Sequence, residues 1–147
     1  MKRILISALL TSLCLSGAAF AEQSPVRYKE DARIKRFVYD QNNVYKLDLY
    51  MKSVTALQFA EGEDVQSILI GDSASWEVVK LKAGNVISVK PILDGSITNM
   101  TVYTDRRVYT FELRGMGDMK AGTNPSFRTA FTYPDDENPA VDEDLAI

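Results

Sequence analysis

GNVISVKPILDGSITNMTVYTDRRVYTFEL, residues 84–113, is the stretch that decides the fold. Apolar and polar residues alternate in three short runs within it: Val86 to Lys90, Thr98 to Tyr103 and Val108 to Leu113. Alternation with a period of two marks a strand that buries one face. Pro91 ends the first run, because proline cannot donate to a sheet ladder. Two polar turns separate the runs, the second being Thr104-Asp105-Arg106-Arg107.

The same pattern extends upstream. Ile34 to Tyr39, Val44 to Tyr50, Val54 to Phe59, Val65 to Ile70 and Trp76 to Leu81 all alternate and are closed by turn residues. Phe127 to Tyr133 reads as a last strand, after an expected flexible stretch GMGDMKAGTNPS. About nine short, mainly antiparallel strands at roughly ten-residue spacing predict an all-β sandwich. The aromatic residues fall mostly at strand positions, as core packing requires.

The flanks carry different information. Lys2 and Arg3 precede an apolar run from Ile4 to Leu15, and Ala19-Phe20-Ala21 is a small-x-small cleavage pattern. Residues 1–21 therefore predict a signal peptide cut between Ala21 and Glu22, which exports the chain. The run is shorter than the roughly 20 residues that span a bilayer. Acylation at Cys14 wants small residues before the thiol, and Leu13 stands there. Cutting at Ala21 removes the chain's single cysteine, so the domain relies on its core and not on disulfides.

Residues 22–133 are the expected domain and carry 15 basic and 14 acidic groups, a nearly neutral body. Nucleic-acid binding needs a concentrated basic face and is not expected. Residues 134–147 hold Asp135, Asp136, Glu137, Asp142, Glu143 and Asp144 with no base, and read as a solvated tail or linker.

Catalytic apparatus is hard to find. There is no histidine, which removes the commonest general base and zinc ligand. Gly71-Asp72-Ser73 resembles a serine-esterase block, but without a base it reads as a turn. Glu61, Glu63, Asp64 and Asp72 lie in expected turns, where carboxylates are usually solvated. Gly115-Met116-Gly117 lacks the pattern of a nucleotide fold. Arg106-Arg107 could clamp an anion, although a solvent-facing turn with Asp105 bonding locally is the plainer reading. No catalytic residue, cofactor or metal site is expected.

The runs ILIGDSASWEVV, ISVKP and TNMTVYTDRRVYTFEL, with RIKRFVYDQNNVYKLDLY before them and FTYPD after, resemble the amino-terminal domain of the TrbG/CagX family. Members of this Vir-type family are periplasmic core subunits of conjugation and type IV secretion machines. The resemblance runs from near Arg33 to about Tyr133. It implies a β-sandwich in which Gly71 and Asp72 form a turn before a buried Trp76. Lys90 and Pro91 would end a strand, Thr98, Asn99 and Met100 would open the next, and Asp105, Arg106 and Arg107 would form a hairpin turn.

None of these positions is catalytic in that family, whose domains dock with one another in a homo- or hetero-oligomeric ring and with the envelope-spanning subunit. Typical members continue into a second β domain that binds an outer-membrane lipoprotein and the envelope-spanning subunit. This sequence stops at Ile147, so lipoprotein binding is not carried over and a natural short form is expected. Three functional readings follow: a structural subunit, a short paralogue regulating assembly, and a free anion- or carbohydrate-binding module.

Overall fold

The computed structural model describes residues 31–134. The expected signal peptide, the leader up to residue 30 and the acidic residues 135–147 lie outside them. Nine strands follow in chain order: β1 (Ile34–Val38), β2 (Val44–Met51), β3 (Thr55–Gln58), β4 (Val65–Ile70), β5 (Trp76–Lys80), β6 (Val86–Pro91), β7 (Ile97–Thr104), β8 (Val108–Asp118) and β9 (Arg128–Thr132). They build two sheets, one ordered β1-β9-β3-β6-β5 and the other β2-β8-β7-β4. Among the described residues no helix is long and apolar enough to cross a membrane.

Only the β5–β6 and β7–β8 connections stay within a sheet; every other connection crosses between them. Antiparallel pairing holds at four of the seven ladders, and β9 runs parallel to both β1 and β3 while β2 runs parallel to β8. Local alternation cannot reveal this, because direction is set by which distant strands meet. β9 fills the gap between β1 and β3, so the last strand closes the sheet that the first one opens.

The inward faces interdigitate as the alternation requires. Tyr45, Leu47 and Leu49 of β2 are buried, as are Tyr109, Phe111 and Leu113 of β8, and Ile87 and Val89 of β6. Phe131 is the hub of the aromatic core. Its ring centroid lies 5.0 Å from Tyr45, 5.0 Å from Tyr109, 5.9 Å from Phe59 and 6.0 Å from Phe37. Stacked, tilted and edge-on pairs of this kind add to the burial energy of each ring.

One sequence expectation fails here. Gly115-Met116-Gly117-Asp118 is not a flexible stretch but the last third of β8, paired with Leu49, Tyr50 and Met51. Glycine is what the position needs. A Cβ on Gly115 would stand 3.1 Å from the Leu93 carbonyl oxygen, where the β6–β7 turn crosses the strand.

Candidate functional site

The sandwich has two poles, and the residues singled out in the sequence divide between them. Gly71, Asp72, Trp76, Lys90, Pro91, Thr98, Asn99 and Met100 gather at one pole, at the end of β4, the start of β5, the end of β6 and the start of β7. The Gly71 amide donates to the Asn99 carbonyl at 3.1 Å, and a Cβ there would lie 2.7 Å from Thr98 Oγ1. Asp72 Oδ1 accepts from the amides of Ala74 and Ser75 at 3.2 and 3.3 Å, and bonding to Ser75 lowers its pKa. Trp76 is buried opposite Pro91, Lys90 stands exposed opposite Glu77, and Met100 is in the core.

Asp105, Arg106 and Arg107 lie at the other pole, in the β7–β8 turn. Thr104 organises this turn: its amide donates to the Arg107 carbonyl at 2.9 Å and its hydroxyl oxygen accepts from the Arg107 amide at 2.9 Å. Asp105 does not bond only locally. Its amide donates to the Asp64 carbonyl and its Oδ1 accepts from the Asp64 amide, which ties the turn to the β3–β4 loop. Arg106 is exposed, but Arg107 is not solvent-facing, since its side chain is only 14% accessible. The expectation of two outward arginines is therefore corrected.

Arg107 turns inward because Glu63 is there. That carboxylate is fully buried, against the expectation of a solvated turn acid. It accepts from Arg107 Nη1 at 2.9 Å, from the Thr104 hydroxyl at 2.5 Å, from the Tyr109 hydroxyl at 3.0 Å and from the Ala60 amide at 3.2 Å. A buried charge is tolerated only when it is paired and its remaining lone pairs are filled, as they are here. Tyr109 and Tyr133 hydroxyls are 2.7 Å apart. Tyr109 has one proton to give and gives it to the carboxylate, so Tyr133 donates to Tyr109.

The guanidinium also stacks on rings, 4.0 Å from the Tyr133 centroid and 5.5 Å from that of Tyr39. Tyr39 donates to the Val108 carbonyl at 3.1 Å. Burial pushes the Tyr133 phenol up to about 12 and the Tyr109 phenol far higher, with the Glu63 carboxylate adding to the latter. Neither phenol can ionise near neutral pH. The cluster joins the β3–β4 loop, the β7–β8 turn and the ends of β1 and β9, and its saturated groups hold geometry. Among the described residues no three metal-ligating side chains converge.

The family model for CagX, a conjugal transfer protein, matches residues 32–145, a span that takes in both sheets and both poles. The chain belongs to the CagX family. It is 34% identical over 143 residues to type IV secretion system protein virB9 of Bartonella henselae, covering 93% of this chain and 49% of that protein. The virB9 protein of Bartonella quintana is 36% identical over 142 residues, covering 92% of this chain and 48% of its own length. A probable conjugal transfer protein TrbG of Sinorhizobium fredii is 33% identical over 92 residues, or 56% of this chain and 31% of that protein. The chain spans about half the length of the virB9 proteins it matches.

The amino-acid pattern does hold a signal for the buried cluster. Arg107 shares the parity of Tyr109, Phe111 and Leu113, all inward, and Tyr133 shares that of Phe131. Glu63 stands two residues before the buried Val65. Counting in twos from the apolar core positions therefore puts these polar groups on the core side.

Proposed function

We propose that this domain is a non-catalytic docking subunit of a type IV secretion core, exported to the periplasm by cleavage between Ala21 and Glu22. The observation that carries the proposal is the alignment with two virB9 proteins over more than nine-tenths of the chain. The site supports it: the Glu63 carboxylate has its acceptors filled, and the phenols beside it are held neutral. Such a cluster holds the turn and the strand ends in one geometry, as a docking surface requires. A two-arginine anion clamp loses ground, because Arg107 is committed to Glu63. Partners on this reading are full-length family relatives and the envelope-spanning subunit, with ring assembly by heterologous contacts.

The test is co-purification of the affinity-marked protein from detergent-solubilised envelopes of cells that carry the secretion apparatus. Recovery of a full-length family relative in stoichiometric amount is expected, with a mature amino terminus at Glu22. Recovery of the protein alone, at any detergent strength, would contradict the reading.

A further inference from the structure

The outer face of the five-stranded sheet carries a feature that docking through the poles does not use. Phe37 and Phe131 point inward, so alternation turns Ile34, Arg36 and Val38 of β1 outward, together with Arg128, Ala130 and Thr132 of β9. Register then sets the pattern across the sheet. Arg36 is opposite Ala130, which is opposite Gln58; Ile34 is opposite Arg128, which is opposite Ala56. Two exposed arginines therefore stand beside a floor of small residues. Ile34, Arg36, Gln58, Arg128 and Ala130 line a shallow pocket of about 210 Å³ there. On the outward positions of this sheet's strands the one acid is Glu77 of β5, three strands from β9, which faces Lys90 of β6.

The chain supplies a matching occupant. Residues 135–144 hold six acids and no base, and only Tyr133 and Pro134 separate them from β9, the strand that floors the pocket. A guanidinium binds a carboxylate through two parallel hydrogen bonds, so this surface suits an acidic peptide better than an apolar one. From Pro134 back to Arg128 is roughly 15–20 Å at about 3.3 Å per residue, and the acidic segment is long enough to cover it. A short tether also gives an effective concentration in about the millimolar range, which favours the chain's own segment over a neighbour's. We propose that the outer face around Arg36 and Arg128 is the docking site of the chain's own acidic segment, residues 135–144. The inference stands apart from the secretion reading, since it rests on this sheet and this segment alone.

The test compares amide NMR spectra of the full ¹⁵N-labelled mature chain with those of a variant carrying D135N, D136N, E137Q, D142N, E143Q and D144N. Amides of Ile34–Val38, Ala56–Gln58 and Arg128–Thr132 are expected to shift, while those of Tyr109 and Phe111 stay fixed. The same shifts should appear in the native chain at about 1 M salt, where the screening length falls to about 3 Å, and should not change on tenfold dilution. R36E/R128E should abolish the difference between native and neutralised tails. Unchanged β1 and β9 amides would overturn the proposal, as would shifts confined to another face. Shifts that vanish on dilution would also overturn it, by assigning the acidic segment to a second molecule. The neutralised variant leaves the sheet's own residues intact, so the experiment holds even if R36E/R128E fails to fold.

Discussion

The two poles of this sandwich hold their strands together by opposite means. At the pole of Gly71 and Trp76 the contact is close and short-ranged: a glycine lets β4 approach β7, and a tryptophan packs against the end of β6. At the pole of Glu63 and Arg107 the contact is ionic and long-ranged, joining segments up to 46 residues apart through a dry carboxylate. Steric closure tolerates modest change in proportion to the atoms moved. A buried ion pair does not, because removal of one partner strands the other charge.

This contrast can be broken most severely at Glu63. E63L removes the buried carboxylate that faces the Arg107 guanidinium and is expected to lower stability by about 3–5 kcal/mol. Urea unfolding of the mature domain followed by tryptophan fluorescence measures it. Y109F removes one charge-assisted bond to the same carboxylate and should cost about 1.5–3 kcal/mol in the same assay. At the steric pole, G71A places a methyl 2.7 Å from Thr98 Oγ1. Its expected cost is about 1–3 kcal/mol, the range for overpacking. A loss at G71A exceeding that at E63L would reverse the comparison.

The poles should also part company with pH. Tyr133 titrates near 10.0 when unfolded and at about 12 in the fold, chiefly through burial. The folded state thus keeps a proton that the unfolded state gives up between those values. Its contribution is present in full below pH 10 and is lost as pH rises through 12, so stability falls with alkalinity in that window. Tyr109, pushed up further by burial, acts in the same direction. Y133F should flatten the decline in thermal midpoint above pH 10, whereas G71A should leave its slope unchanged.

The sheets were more legible in the sequence than the ionic pole. Strand alternation located all nine strands within a residue or two, apart from the end of β8, because burial of one face is a local pattern. Gly115 and Gly117 hid that extension, since glycine weakens a strand intrinsically and is kept there for a close crossing by the β6–β7 turn. Glu63 was hidden by its neighbours: Glu61-Gly62-Glu63-Asp64 has the composition of a solvated turn. Its burial depends on Arg107, Tyr109 and Thr104, which reach it from more than forty positions away. The parallel placement of β9 was illegible for the same reason, because no local feature encodes which distant strands will flank it.

One measurement separates architecture from chemistry at the ionic pole: recruitment of E63L/R107M into the envelope complex. Replacing both partners of a buried pair with apolar groups is often near neutral. The double variant is therefore expected to fold within about 2 kcal/mol of the native domain and, on the proposed docking role, to be recovered with the full-length relative to the same extent as the native chain. A double variant that folds yet is missing from the complex would show that the charged pair itself is recognised, and would contradict a domain that works by shape alone.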